Sequence, residues 1–229
     1  SGFAGLNMNS VDFAFGGFFS IGTLSYAWAK LYRKSFLDSN KIEFGDYRYA
    51  EDKIYNYFCY IAGARYAFID KKIYVYRRNE QSVSNTYRKD GDKDWMRIAQ
   101  VLQDKIDSLN YEKKQYSQDE IENYESIVAW TIYFAAFFDG KMEYEYSTGK
   151  IGAVINLLKR YASYDLTKKY LKNPLRYTKK IPALSYKIML GGFAFLMKCN
   201  MYVLLSLGIK LLVDWHIDER LSDTGRKED

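Results

Sequence analysis

Apolar residues recur at helical spacing over much of the chain. The first such stretch follows Glu51, with apolar residues at Ile54, Tyr57, Phe58, Ile61 and Ala62. Residues three and four positions apart share one face of an α-helix, so this spacing predicts a helix that begins at Glu51 and ends at Gly63.

Three more helices are predicted beyond Arg88. One apolar stripe runs through Trp95, Ile98, Val101, Leu102, Ile106 and Leu109. Ser117 and Glu120 have the spacing of a capping box, which predicts the start of a second helix that continues to Phe138. A third is predicted over residues 149–161.

Shorter runs show the alternation that is typical of β-strands. Residues 66–69 and 73–76 are such runs, and residues 28–37 suggest a strand that leads into a short helical turn. Residues 1–27 and 41–50 are predicted to be largely loop. The expected fold class is therefore α+β and mostly helical.

The C-terminal region predicts an amphipathic pair of helices behind a basic linker. Apolar residues fill 188–197 and 201–209, while Lys198 and Asn200 interrupt them and argue against a single membrane span. Two interpretations remain open: an interfacial membrane anchor, or a helical pair packed on the rest of the domain.

Composition and charge exclude some kinds of site. The 229 residues are 48% hydrophobic and 27% charged, as in an ordinary globular protein of one domain or somewhat more. Cys59 and Cys199 lack a metal or redox spacing, and His216 is the only histidine, so a His-rich metal site and a histidine-based triad are excluded. The 18% of aromatic residues suits sugar sites and membrane interfaces, or reflects compositional drift.

The net charge of +6 is concentrated in residues 159–187, where Asp165 is the only acid. The basic residues there are Lys159, Arg160, Lys168, Lys169, Lys172, Arg176, Lys179, Lys180 and Lys187. Such a run can face nucleic acid, an anionic membrane or water. No nucleic-acid recognition motif accompanies it, so nucleic acid is not expected as a partner.

Several short motifs carry a resemblance to a known family. They are WAKLYRKSFL at 28–37, NKIEF at 40–44, ED at 51–52, YVYR at 74–77 and SVS at 82–84. Their order and spacing resemble the acceptor-side part of bacterial family 2 glycosyltransferases, which are inverting enzymes of the GT-A fold. The resemblance covers residues 26–85. It implies a partial GT-A sheet region within residues 1–90, followed by a helical extension over 91–229.

The resemblance also implies site residues. Asp52 would be the general base, with Glu51 as its neighbour. Arg77 and Ser82 would contact the donor diphosphate, and Trp28 and Lys30 would form the floor of the sugar and acceptor site. Structural alternatives stay open, since the acidic pair can simply begin a helix, Arg77 can be a solvated strand end, and Trp28 can be part of the core.

One departure from the family concerns the metal. The family holds Mg²⁺ or Mn²⁺ through an Asp-x-Asp motif well before the tryptophan motif, but Asp12 is the only acid ahead of Trp28 here. With Ser1 in place of an initiator methionine, we expect a truncated chain that lacks the nucleotide-binding half. Residues outside this chain would then hold the metal, and the chain alone would be inactive.

The sequence therefore favours a fragment of a cytoplasmic glycosyltransferase, peripheral on the inner face of the cell membrane. Its partners would be a nucleotide sugar and a glycan or lipid-linked acceptor, with an anionic membrane surface as a further candidate. Exposed sheet edges would favour a homodimer. The alternative is a non-catalytic helical module that binds a membrane or another protein.

Overall fold

The computed structural model describes residues 6–19, 22–47, 49–69, 71, 74–75, 87–109 and 116–215. Within these ranges the α-helices are α1 Val11–Phe18, α2 Lys34–Asn40, α3 Glu51–Ile61, α4 Gly91–Asp107, α5 Gln118–Tyr146, α6 Ile151–Ser163, α7 Asp165–Leu171, α8 Pro174–Thr178, α9 Leu184–Lys198 and α10 Tyr202–Asp214. A short 3₁₀ turn spans Thr23–Ser25. None of the described residues lies in a β-strand, so the predicted α+β class with a GT-A sheet is wrong.

The helices with the strongest periodicity lie where the sequence places them. α3 begins at Glu51, as predicted. α4 buries the predicted stripe, including Trp95, Ile98 and Leu102. The capping box that opens α5 is present, because the Ser117 hydroxyl accepts from the Glu120 amide and the Glu120 carboxylate accepts from the Ser117 amide. These local signals and the tertiary packing agree, which is why they predict the elements well.

The C-terminal pair is also confirmed as two separate helices, but the predicted basic linker is wrong. α7 and α8 occupy that region, and Pro174 opens α8 at a position where its missing N–H costs no hydrogen bond. Leu166, Tyr170 and Leu171 of α7 are buried in the core. The helical pattern of α7 is difficult to recognise in the sequence, because lysines are frequent in this stretch and only a narrow side of the helix is apolar.

The N-terminal stretch contains a helix that the sequence analysis missed. α1 is capped by the Ser10 side chain, which accepts from the Phe13 amide at 3.2 Å, and it buries Phe13 and Phe18. The glycines of this stretch suggest a loop in the sequence, but in the structure Gly17 allows Leu24 to pack closely against α1. A Cβ atom there would lie 3.0 Å from Leu24 Cδ1, so glycine lets the 3₁₀ turn approach the helix.

Residues 66–69 alternate in burial without forming a strand. Tyr66 and Phe68 pack on the core, with their rings 5.2 Å and 6.3 Å from the ring of Phe13, while Ile69 is exposed. The Tyr66 amide donates to the Met8 sulfur at 3.3 Å. The two-residue period is therefore real, but these side chains pack against α1 instead of joining a sheet. The second predicted run, 73–76, is described only at Tyr74 and Val75, neither of which is in a strand.

α5 is the central helix of the molecule. Its 29 residues span about 44 Å at 1.5 Å per residue, and α1, α4, α6, α8, α9 and α10 all pack against it. Residues on every side of its middle turns are buried, among them Val128, Trp130 and Tyr133. One hydrophobic core therefore includes residues from both sides of position 90, and the division into 1–90 and 91–229 stays a prediction.

Buried tyrosines hold the helices together through their hydroxyl groups. Tyr57 donates to the Tyr124 carbonyl at 3.2 Å and Tyr133 donates to the Tyr170 carbonyl at 3.0 Å. Tyr170 in turn donates to Gln103 Oε1 at 2.6 Å. Each ring adds apolar area to the core while its hydroxyl satisfies a buried acceptor, so much of the aromatic surplus is structural. Among the described helices, none has the length and hydropathy needed to cross a bilayer.

Candidate functional site

Asp52 lies in the first turn of α3 and faces the chain segment 26–30. Its Oδ2 atom accepts a hydrogen bond from the Ala27 amide at 2.9 Å. The side chain is partly exposed, and its Oδ1 atom has no hydrogen-bond partner among the residues that the structure describes. The segment that precedes α3 therefore fixes one of the two carboxylate oxygens of Asp52.

Asn56, one turn further along α3, fastens this segment to the helix. Its Nδ2 atom donates to the Tyr26 carbonyl at 3.0 Å and to the Asp52 carbonyl at 2.9 Å. Its Oδ1 atom accepts from the Tyr32 hydroxyl at 2.9 Å. Asn56 is buried, so these bonds are shielded from water and hold residues 26–32 in one position relative to Asp52.

Trp28 forms an aromatic stack at the surface beside Asp52. Its ring lies 4.8 Å from that of Tyr74, at an interplanar angle of 18°, and 5.0 Å from that of Tyr26. Trp28 is 37% exposed, so the interpretation as a core residue is wrong. Ala29 has a positive φ of 56°, which turns the chain sharply between Trp28 and Lys30.

Lys30 belongs to the same cluster. Its ammonium group donates to the Trp28 carbonyl at 3.3 Å and lies 6.0 Å from the centroid of the Trp28 ring. Burial lowers the pKa of Lys30, while the nearby Asp52 carboxylate acts in the opposite direction. The structure thus brings together three of the predicted site residues: Asp52, Trp28 and Lys30.

The other predicted residues are not part of this cluster. Glu51 is exposed and makes no hydrogen bond or ion pair with the described residues. Glu51 is the first residue of α3, and it forms no hydrogen bond or ion pair with Trp28 or Lys30. Arg77 and Ser82, the predicted diphosphate contacts, lie outside the described residues.

The divalent metal that the resemblance implies does not fit the described residues. Within them, no three His, Cys, Asp or Glu side chains group closely enough to hold a metal ion. One oxygen of Asp52 already accepts a hydrogen bond from the Ala27 amide. Glu51 is the only other carboxylate next to Asp52 in the sequence.

Lys53 is a further polar group at the start of α3. It is only 6% exposed, and burial lowers the pKa of its ammonium to about 7. It forms no hydrogen bond or ion pair with the part of the chain that the structure describes. A lysine without a charge partner in the core is costly.

Two cavities of the described part are not lined by Asp52, Trp28 or Lys30. One small cavity of about 10 Å³ is lined by Tyr87, Arg88 and Asp139, among others. A more open groove of about 380 Å³ runs between α4 and α7, beside Met96 and Tyr164. The Asp52 cluster is instead a partly exposed surface, which is compatible with a large, extended ligand such as a glycan.

Sequence reasoning missed the residues that support this cluster. Asn56 and Tyr32 position the segment, and Tyr74 completes the stack with Trp28. Asn56 offers one sequence signal, since it lies four residues after Asp52 in a stretch of helix that is otherwise rich in apolar residues. The role of Tyr32 depends on a long-range hydrogen bond that no local pattern reveals.

Comparison with protein-family models, curated proteins and solved structures finds no match to this chain. The resemblance to family 2 glycosyltransferases therefore depends on the short sequence motifs alone.

Proposed function

We propose that this chain supplies acceptor-side residues of an inverting glycosyltransferase, with Asp52 as the general base. The donor would be a nucleotide sugar and the acceptor a polysaccharide or a lipid-linked glycan. The observation that carries the proposal is the Asp52 carboxylate, which has one oxygen fixed by the Ala27 amide and the other open beside the Trp28 stack.

The geometry suits proton abstraction from an acceptor hydroxyl. A general base must approach the proton that it removes within hydrogen-bond distance. With Oδ2 fixed at 2.9 Å from the Ala27 amide, Oδ1 has a defined position from which to accept that proton. The hydroxyl oxygen then forms a bond to the anomeric carbon. The bond from that carbon to the diphosphate breaks on the opposite face, and the nucleoside diphosphate leaves with the electron pair.

Trp28 and Lys30 would bind the acceptor. The exposed part of the Trp28 side chain would offer apolar surface to a pyranose, and the rings of Tyr26 and Tyr74 pack against the Trp28 ring and keep it in place. The Lys30 ammonium lies next to this ring and can donate hydrogen bonds to sugar hydroxyls.

The proposal extends to donor binding and location. Arg77 and Ser82 would contact the diphosphate, and Mg²⁺ or Mn²⁺ would be bound by residues of the full-length enzyme outside these 229. Transfer would occur in the cytoplasm, where the full-length enzyme would act at the inner face of the cell membrane.

The test is the transfer activity of the full-length protein that carries this chain, measured as release of nucleoside diphosphate from a panel of nucleotide sugars. Asp52→Asn should reduce transfer by at least about 100-fold, since a general base contributes that much or more. Its circular dichroism spectrum should match that of the wild type, because the amide oxygen still accepts from Ala27.

Glu51→Gln is the matched control, because Glu51 is the exposed neighbour of Asp52 in the same helical turn. It should retain most of the activity. Near-normal transfer by Asp52→Asn, or equal losses in both variants, would contradict the role of Asp52.

A further inference from the structure

The outer sides of α9 and α10 expose several large apolar side chains. We call this set the hairpin face and define it by Leu184, Ile188, Phe195, Leu204, Leu207 and Leu211. These side chains are 43 to 68% exposed. Soluble surfaces rarely carry this many large apolar groups on two neighbouring helices, which marks a contact site.

The spacing shows that the hairpin face is one side of each helix. On α9 the positions are four and seven residues apart, and on α10 they are three and four apart. Gly192 and Gly208 lie within these stripes, and a Cβ atom at either would meet nothing within 4 Å. The opposite sides are buried, for example at Phe193 and Ile209.

A tight turn connects the two helices that carry these stripes. The turn lies at Asn200, with φ of 57°, and the Met201 amide donates to the Leu196 carbonyl at 2.9 Å. α9 and α10 contact each other, and both pack against α5. Each exposed stripe lies on the side of its helix that is turned away from the core.

Lysines accompany this face, and few acids do. Lys172, Lys179, Lys187 and Lys198 make no ion pair with any described residue, and the Lys198 ammonium donates to the Lys172 carbonyl at 2.9 Å, which brings two of these residues together. Gly191 of α9 contacts the Thr178 side chain, so the end of α8 near Lys179 lies beside α9. The only acid in residues 184–215 is Asp214, which pairs with Lys210.

Other basic residues of the 159–187 run are neutralised by partners. Arg160 pairs with Asp92, Lys168 with Asp165, and Arg176 with Glu122. Lys180 pairs with Glu122 and Asp119. The excess positive charge is thus left on lysines that include those near the hairpin face.

We propose that the hairpin face docks this protein on an anionic lipid bilayer. The apolar side chains would enter the interfacial layer, and the lysines would face the phosphate headgroups. Burial of apolar area and attraction between opposite charges would then act together. The inference uses none of the residues around Asp52 and is independent of the proposed sugar transfer.

Two alternatives for this face fit the structure less well. A spanning arrangement fails because α9 has 15 residues and covers about 23 Å, less than the roughly 30 Å hydrocarbon core. A second copy would bring the unpaired lysines of both chains close to one another. An anionic surface supplies the opposite charge instead.

The test is flotation of the whole chain with vesicles of phosphatidylcholine, with and without phosphatidylglycerol. The wild type should float with the anionic vesicles only, and added salt should weaken the binding. Ile188→Ser and Leu207→Ser should each lower the partition coefficient about tenfold, and the double variant should lower it about a hundredfold.

Leu31→Ser is the matched control, since Leu31 is fully exposed but lies far from α9 and α10 in the sequence. It should bind like the wild type. The proposal is overturned if the wild type ignores anionic vesicles, or if the Ile188 and Leu207 variants bind as well as the control. It is also overturned if the wild type forms a dimer that Leu207→Ser dissociates while vesicles capture neither protein.

Discussion

At the scale of single residues, the start of α3 combines groups with opposite environments. Asp52 is partly exposed and fixed through one oxygen, whereas the next residue, Lys53, is buried without a partner among the described residues. Adjacent positions on a helix point about 100° apart, so one side chain can face the surface while the other enters the core. The sequence shows two acids followed by a lysine but not which of them is buried.

Lys53 leads to a prediction about pH. The folded protein releases the Lys53 proton at about pH 7, whereas the unfolded chain holds it up to the ordinary value of 10.5. The unfolded state therefore binds more protons between these values, and the stability contributed by this group rises with pH across that window. At and below pH 7 the full cost of the buried charge is present.

Lys53→Met should remove that cost. At pH 7 we expect the free energy of unfolding to increase by on the order of 4 kcal/mol, and this gain should shrink toward pH 10.5. Urea unfolding at several pH values measures it, with Lys159→Met, an exposed lysine of α6, as the control. If the increase in unfolding free energy does not change with pH, burial of the charged Lys53 ammonium does not destabilise the protein as proposed.

At the scale of elements, the position of Asp52 depends on how residues 26–32 are attached to α3. Asn56 makes three hydrogen bonds at this junction, and two of them reach residues outside the helix. This junction is the most direct link between the fold and the candidate site.

Asn56→Ala should therefore destabilise the protein by about 3 kcal/mol, because it removes the three hydrogen bonds of a buried amide, two of which reach the partly buried Tyr26 carbonyl and Tyr32 hydroxyl. The free energy of unfolding in urea measures the change. Asn40→Ala, which removes the exposed hydrogen bonds from Asn40 to the Phe36 carbonyl and the Ser39 hydroxyl, should cost about 0.5 kcal/mol. If the two variants lose similar amounts of unfolding free energy, the hydrogen bonds of Asn56 contribute no more to stability than the exposed hydrogen bonds of Asn40.

The sequence predicted correctly those helices whose signals lie within a few neighbouring residues and do not depend on distant contacts. The acids that open α3, the capping box of α5 and the stripe of α4 are each contained in a few neighbouring residues. α1 and the segment 66–69 were misassigned because their form depends on distant contacts. A glycine is needed at position 17 because Leu24 packs closely against it. Tyr66 and Phe68 alternate with exposed residues because both pack against the ring of Phe13.

At the scale of the whole molecule, a helical core built around α5 supports two separate surfaces. The Asp52 cluster lies at the start of α3, and the hairpin face lies on α9 and α10. The family resemblance assigned Asp52, Trp28 and Lys30 to one site, and these residues lie close together in the structure, while their roles stay a prediction. The predicted homodimer was argued from sheet edges, and no strand in the described part provides such an edge. It stays a prediction without that support.

The most direct test of the proposed function compares Asp52→Asn with Trp28→Ala in the full-length protein, with kcat and the acceptor KM measured for each. If Asp52 is the base and Trp28 the sugar platform, Asp52→Asn should lower kcat at least about 100-fold with little change in KM. Trp28→Ala should raise KM about tenfold while kcat is largely kept. Parallel losses in both constants for both variants would contradict the assignment, because they would indicate a shared structural defect.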